Sequence, residues 1–238
     1  MTIKTILSKY PLTLIITAIY RFLILFTLII LTVMGYQYFY PNENVNFVKL
    51  LSLFKSLTVI TLGLSIVYFL TATLIQWLKW DKIHSYFYVL VLTYSWVALC
   101  MYILVILLHP GILTCNPELK KLPLWFNYIC NLIVPVTIMI DAFLWKPKPV
   151  RFLISILVCG LLAFAYNIFV EVQINKLQYS MYPALDDMAI SCRLLVYFVT
   201  WICIFIITFL SYLFIRLLNR DNNIQTIVEL YRRNKPKF

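Results

Sequence analysis

Six apolar runs, each long enough for a helix to cross a bilayer, constrain this chain more than any other feature. They lie at approximately 13–37, 52–76, 86–108, 123–145, 150–172 and 191–217. A hydrocarbon core takes roughly 20 mainly apolar residues in helical form. Within lipid every backbone N–H and C=O must find its partner inside the segment or in a closed barrel. Barrel strands would show as segments of about ten residues with alternating polarity, and the runs here are continuous. The chain has only 4 glycines, which favours long helices over strands and tight turns. The expected fold is all-α: an integral membrane bundle of six transmembrane helices over 1–218, followed by a basic tail over 219–238. There is no second domain and no evident repeat.

Composition and charge agree with lipid as the solvent. Residues are 63% hydrophobic and 12% charged, where soluble domains carry about a quarter charged. The formal charge of +11 does not indicate a nucleic-acid partner, because the basic residues flank apolar runs instead of forming a patch. On one side of the expected membrane stand Lys4, Lys9, Lys79, Lys82, Lys146, Lys148, Arg151, Arg220, Arg232, Arg233, Lys235 and Lys237. The other side carries Lys49, Lys120, Lys121 and Lys176. The positive-inside rule makes the first side, with both termini, cytoplasmic. The run from Leu12 to Met34 is too long for a signal peptide and no small-residue cleavage site follows it, so it reads as the first span. The tail from Asn222 to Phe238 reads either as a short helix on the inner leaflet or as a solvated segment. The membrane is an endomembrane or the plasma membrane.

Polar residues inside apolar spans are costly and mark function or helix–helix contact. In span two, Thr58, Thr61 and Ser65 form a helical stripe with Lys55 one turn above Thr58. Span four carries Asn127, Asn131 and Asp141, with Asn131 and Asp141 about 40° to either side of Asn127 at 100° per residue. Cys130 lies on the edge of that stripe, and Pro135 interrupts the backbone ladder. Span five holds Tyr166, Asn167 and Glu171; span six opens with Arg193. By depth, Lys55, Thr58, Asn127, Asn131, Glu171 and Arg193 share the outer half, which predicts a polar pocket opening outward or sideways to lipid. The serines and threonines alone read as interhelical glue. Lys55, Asp141 and Arg193 read as pocket residues or members of buried ion pairs. Arg21 is expected to snorkel to the cytoplasmic interface.

The 2 histidines are His84, expected at the cytoplasmic interface, and His109, expected on the outer rim. The 6 cysteines show no metal-ligand spacing, and unpaired apolar cysteines are expected, although Cys115 and Cys192 both fall towards the outer face. No metal, nucleotide or cofactor motif is present.

Three segments resemble the androgen-induced-gene-like family of six-span membrane proteins. Lys55-Ser-Leu-Thr58 is similar to the family's Lys-x-Leu-Thr in span two. Trp125-Phe-Asn127, followed by Asp141, is similar to its Trp-Leu-Asn-His-x-x-His-Thr run that ends in an acidic residue. Tyr182-Pro-Ala-Leu185-Asp186, followed by Arg193, is similar to its Tyr-Pro-x-Leu-acid and arginine. The order of spans agrees as well, so the resemblance covers nearly the whole chain. It implies a threonine hydrolase of lipid esters, such as fatty acid esters of hydroxy fatty acids. The nucleophile falls on Thr58. The family's partner histidine falls on Asn131, or on Cys130 when the alignment is fixed on Pro135. Neither is a general base: an amide does not take a proton, and a thiol in apolar surroundings stays protonated.

The expected function is therefore lipid or partner binding without hydrolysis, with a membrane lipid or lipid ester in the outer-half pocket. The alternative is a Thr58-dependent lipid ester hydrolase. A small-solute transporter is the weaker reading, because such folds show repeats and broken helices. Thr58 and Asn131 are the candidate catalytic residues; Lys55, Asn127, Cys130, Asp141 and Arg193 are the candidate binding residues.

Overall fold

The computed structural model describes residues 12–40, 56–108, 124–177 and 188–220. Among these the regular secondary structure is entirely helical. Six helices follow in order: α1 (Leu12–Phe39), α2 (Leu57–Trp77), α3 (Asp81–Leu108), α4 (Leu124–Trp145), α5 (Phe152–Leu177) and α6 (Ile190–Leu218). Each is long and apolar enough to cross a membrane, which is the architecture of a multi-pass membrane protein.

The local sequence explains where the helices stop. α2 closes in a Schellman turn, with Lys79 N–H donating to the Gln76 carbonyl and Trp80 N–H to the Ile75 carbonyl. This turn needs a left-handed residue, and Lys79 takes that conformation at φ 58° where glycine is usual. Asp81 then opens α3 immediately and favours its N-terminus through the helix dipole. α4 ends at Lys146, also left-handed at φ 53°, and the Pro147-Lys148-Pro149 run cannot continue a helix. These two connections lie at the same end of the bundle. Lys148 Nζ pairs with Asp81 across 2.6 Å, and Asn219, just past α6, donates to the Pro147 carbonyl. This is the lysine-rich end, and successive helices alternate in direction from it.

α3 is the central helix. It packs against α2, α4, α5 and α6, while α1 packs against α2 and α4, and α6 against α5. The main core joins α1 to α4 around Leu28, Leu62, Phe69, Tyr88, Val134 and Ile138. A smaller one joins α3, α5 and α6 around Tyr94, Val97, Cys159, Ala163 and Ile204. Outward faces are apolar: on α1, Ile19, Phe22, Phe26, Ile30 and Val33 recur every three or four residues and are all exposed. In water such a stripe would be a liability; towards lipid tails it costs nothing.

Two sequence expectations are overturned. Arg21 does not snorkel: it is 1% exposed, because Asp141 offers it a carboxylate inside the bundle. His84 is not an exposed side chain at the cytoplasmic end: it is helical and faces the inside of the bundle. The sharp turn at Lys79 starts α3 five residues before the expected position 86, and the added turn carries His84 into the core at 0% exposure.

Candidate functional site

Among the described residues, the polar side chains singled out in the sequence fall into three main gatherings. The first joins α2 to α4. Thr58 is half-buried in the first turn of α2, and Asn131 is 4% exposed in the second turn of α4. The Thr58 hydroxyl donates to Asn131 Oδ1 across 3.1 Å. The two positions matched to the nucleophile and its partner thus meet across two helices. The rest of the threonine and serine stripe turns inward on its own helix: Thr61 donates to the Thr58 carbonyl and Ser65 to the Thr61 carbonyl. Such bonds satisfy a hydroxyl in lipid without joining helices, so the expectation of interhelical glue fails for these two and holds for Thr58.

Cys130 does not take the partner position. It is 6% exposed and packs in the apolar core beside Phe126 and Val134. The alignment fixed on Trp125, Asn127 and Asp141 is the one that brings a side chain to Thr58. Lys55 and His109 lie outside the described residues, as does the side chain of Asn127.

The second gathering surrounds Asp141, at the lysine-rich end of α4. Arg21 of α1 grips its carboxylate with two bonds, Nε to Oδ1 at 2.7 Å and Nη2 to Oδ2 at 3.0 Å. Tyr68 of α2 donates to Oδ2 across 2.6 Å, and Arg21 Nη1 donates to Gln76 Oε1 across 2.8 Å. The guanidinium also lies 5.8 Å from the Trp145 ring centroid. A two-pronged, charge-assisted pair of this kind is the geometry that repays desolvation best. Asp141 lies ten residues from Asn131, or about 15 Å along α4, so it belongs to a separate centre.

The third gathering joins α5 to α6. Arg193 Nε lies 3.2 Å from Glu171 Oε1, with Arg193 buried, and Tyr197 donates to the same oxygen across 2.9 Å. Asp141 and Arg193 are thus both members of ion pairs, in agreement with one of the two readings of the sequence. Their partners put them with Arg21 and Glu171 respectively, rather than with Thr58.

Sequence reasoning missed Arg21, Tyr68, Gln76, His84 and Trp145 as neighbours of Asp141. The signal available was one arginine and one aspartate in two different apolar spans, which lipid obliges to find partners. Among the described residues no three of His, Cys, Asp and Glu come together as a metal site. Cys100, Cys130, Cys159, Cys192 and Cys203 are unpaired, and Cys115 lies outside the described residues. His84 is the histidine among the described residues; its ring packs on Tyr68, ten residues along α2 from Thr58, so it does not serve that hydroxyl.

Comparison with protein-family models, with curated proteins and with solved structures gave no match to this chain.

Proposed function

We propose that this chain is a lipid-binding membrane protein related to the androgen-induced-gene-like family, in which the Thr58–Asn131 pair holds a membrane lipid or lipid ester without cleaving it. The lysine-rich end with both termini faces the cytoplasm, which puts this pair in the outer half of the bilayer. The reading rests on one observation: the hydroxyl in the nucleophile position donates to an amide oxygen. An amide oxygen accepts a hydrogen bond but does not remove the proton, and a hydroxyl needs that removal to attack an ester. In place of a base, the pair presents polar side chains to the polar part of a lipid.

A hydrolase is the second reading. It is favoured by the meeting of Thr58 and Asn131, since a catalytic pair would need these two positions in contact. Purified protein in nanodiscs, assayed with a fluorogenic medium-chain ester and a branched hydroxy-fatty-acid ester, separates the two. Retention of ester without turnover, weakened by Thr58→Ala, supports binding. Turnover that vanishes in Thr58→Ala overturns it in favour of the hydrolase, and absence of both retention and turnover removes the lipid role of this pair.

A further inference from the structure

The centre around Asp141 has hydrogen-bonding capacity beyond its ion pair, and that capacity points to a ligand. His84 is 0% exposed, yet neither Nδ1 nor Nε2 has a hydrogen-bond partner among the described residues. Its ring stacks on Tyr68 with centroids 5.2 Å apart and packs on Trp145 at 3.9 Å. Tyr88 stands one turn further along α3, on the same face as His84. It is also 0% exposed, its hydroxyl has no partner among the described residues, and its ring lies 6.2 Å from that of Tyr68. Three buried polar atoms without a partner among the described residues thus belong to two side chains of α3 that both pack against the Tyr68 ring.

The neighbours fix the charge of the ligand. Arg21 directs three of its five N–H donors to Asp141 and Gln76, and Tyr68 donates its hydroxyl to Asp141. The guanidinium and carboxylate cancel, so the centre gains nothing from a further ion. One imidazole nitrogen, as donor or acceptor according to tautomer, and a phenol hydroxyl can together bond a single small group. If their role were packing alone, phenyl rings would fill the same space with no polar atom to desolvate.

We propose that this centre is a second binding site, independent of the Thr58–Asn131 reading, in which His84 and Tyr88 hold an uncharged hydroxyl. The hydroxyl comes either from water or from a neutral lipid of the diacylglycerol kind, entering at headgroup depth beside Trp145.

The test uses the full chain in phosphatidylcholine nanodiscs, with and without diolein, and compares the melting temperatures of wild type, His84→Phe, His84→Gln and Tyr88→Phe. The expected result is a loss of about 3 °C or more for each phenylalanine variant, with partial recovery in His84→Gln, which keeps a donor and an acceptor. Stabilisation of the wild type by diolein, absent from the phenylalanine variants, identifies the lipid hydroxyl. The same losses without a diolein effect identify water. Phenylalanine variants that melt at or above wild type overturn the proposal. Should those variants fail to fold, ¹⁵N-histidine-labelled wild type decides, with His109→Gln for assignment: hydrogen-bonded His84 ring nitrogens support the site, and ring nitrogens free of hydrogen bonds overturn it.

Discussion

Thr58 and Asn131 stand 73 residues apart in the chain and meet through a single hydrogen bond, hydroxyl to amide oxygen, at 3.1 Å. The contact ties the first turn of α2 to the second turn of α4. It also places an amide where proton removal would require a base.

Asn131→His supplies such a base. An imidazole accepts the hydroxyl proton, and a general base typically contributes about 10²–10⁴-fold. Ester turnover is expected to rise by that order above wild type and to fall back in Asn131→His/Thr58→Ala. The measurement is fluorogenic ester hydrolysis in nanodiscs; a variant as inert as wild type would sink the relation between these two positions and a nucleophile–base pair.

Breaking the Arg21–Asp141 pair from one side leaves a charge uncompensated in the core. Asp141→Asn and Arg21→Met are each expected to cost about 3–5 kcal/mol. The double change Arg21→Met/Asp141→Leu should cost much less than the sum of the two, since it strands no charge. Unfolding of the detergent-solubilised protein followed by helicity reads all three, and additive losses would show that the pair is not coupled.

Lys79 holds a left-handed conformation that glycine adopts without strain. Lys79→Gly is expected to stabilise the protein by about 1 kcal/mol, seen as a rise of about 2–4 °C in melting temperature. An alanine at the same place keeps the Cβ and should give no such gain.

Cysteine reactivity reports the burial pattern and the orientation together. Cys192 is exposed near the start of α6, whereas Cys130 and Cys159 are buried. In a Cys115→Ser background, a membrane-impermeant maleimide added from the non-cytoplasmic side should label Cys192. Cys130 and Cys159 should react only after denaturation. Labelling of Cys192 solely from the cytoplasmic side would invert the proposed topology.

The span positions were legible because lipid leaves the backbone only helices or closed barrels, and continuous apolar runs of this length select the helix. The lysines of the short connections predicted a common end, and the contacts of Lys148 with Asp81 and of Asn219 with Pro147 bring those connections together. Thr58 and Asn131 each stood out as polar groups on a helical stripe. Their contact did not, since it depends on which helices are neighbours. The same ignorance hid the partner of Arg21: a long basic side chain near a helix end reads as snorkelling until an acid is known to lie at its level on the adjacent helix. His84 was misplaced for a smaller reason. The left-handed turn that starts α3 early falls on a lysine, and nothing in the residue type signalled it.

The grip of Arg21 on Asp141 has a consequence for biogenesis. Ribosomes deliver α1 first, and its arginine then faces hydrocarbon at a cost of about 2.5–3.5 kcal/mol. The acid that neutralises it is made 120 residues later. Until α4 is inserted, the nascent chain carries an unmatched charge that marks it as incomplete. Once the two helices dock, that mark is gone, so this one pair separates a half-built intermediate from a finished bundle.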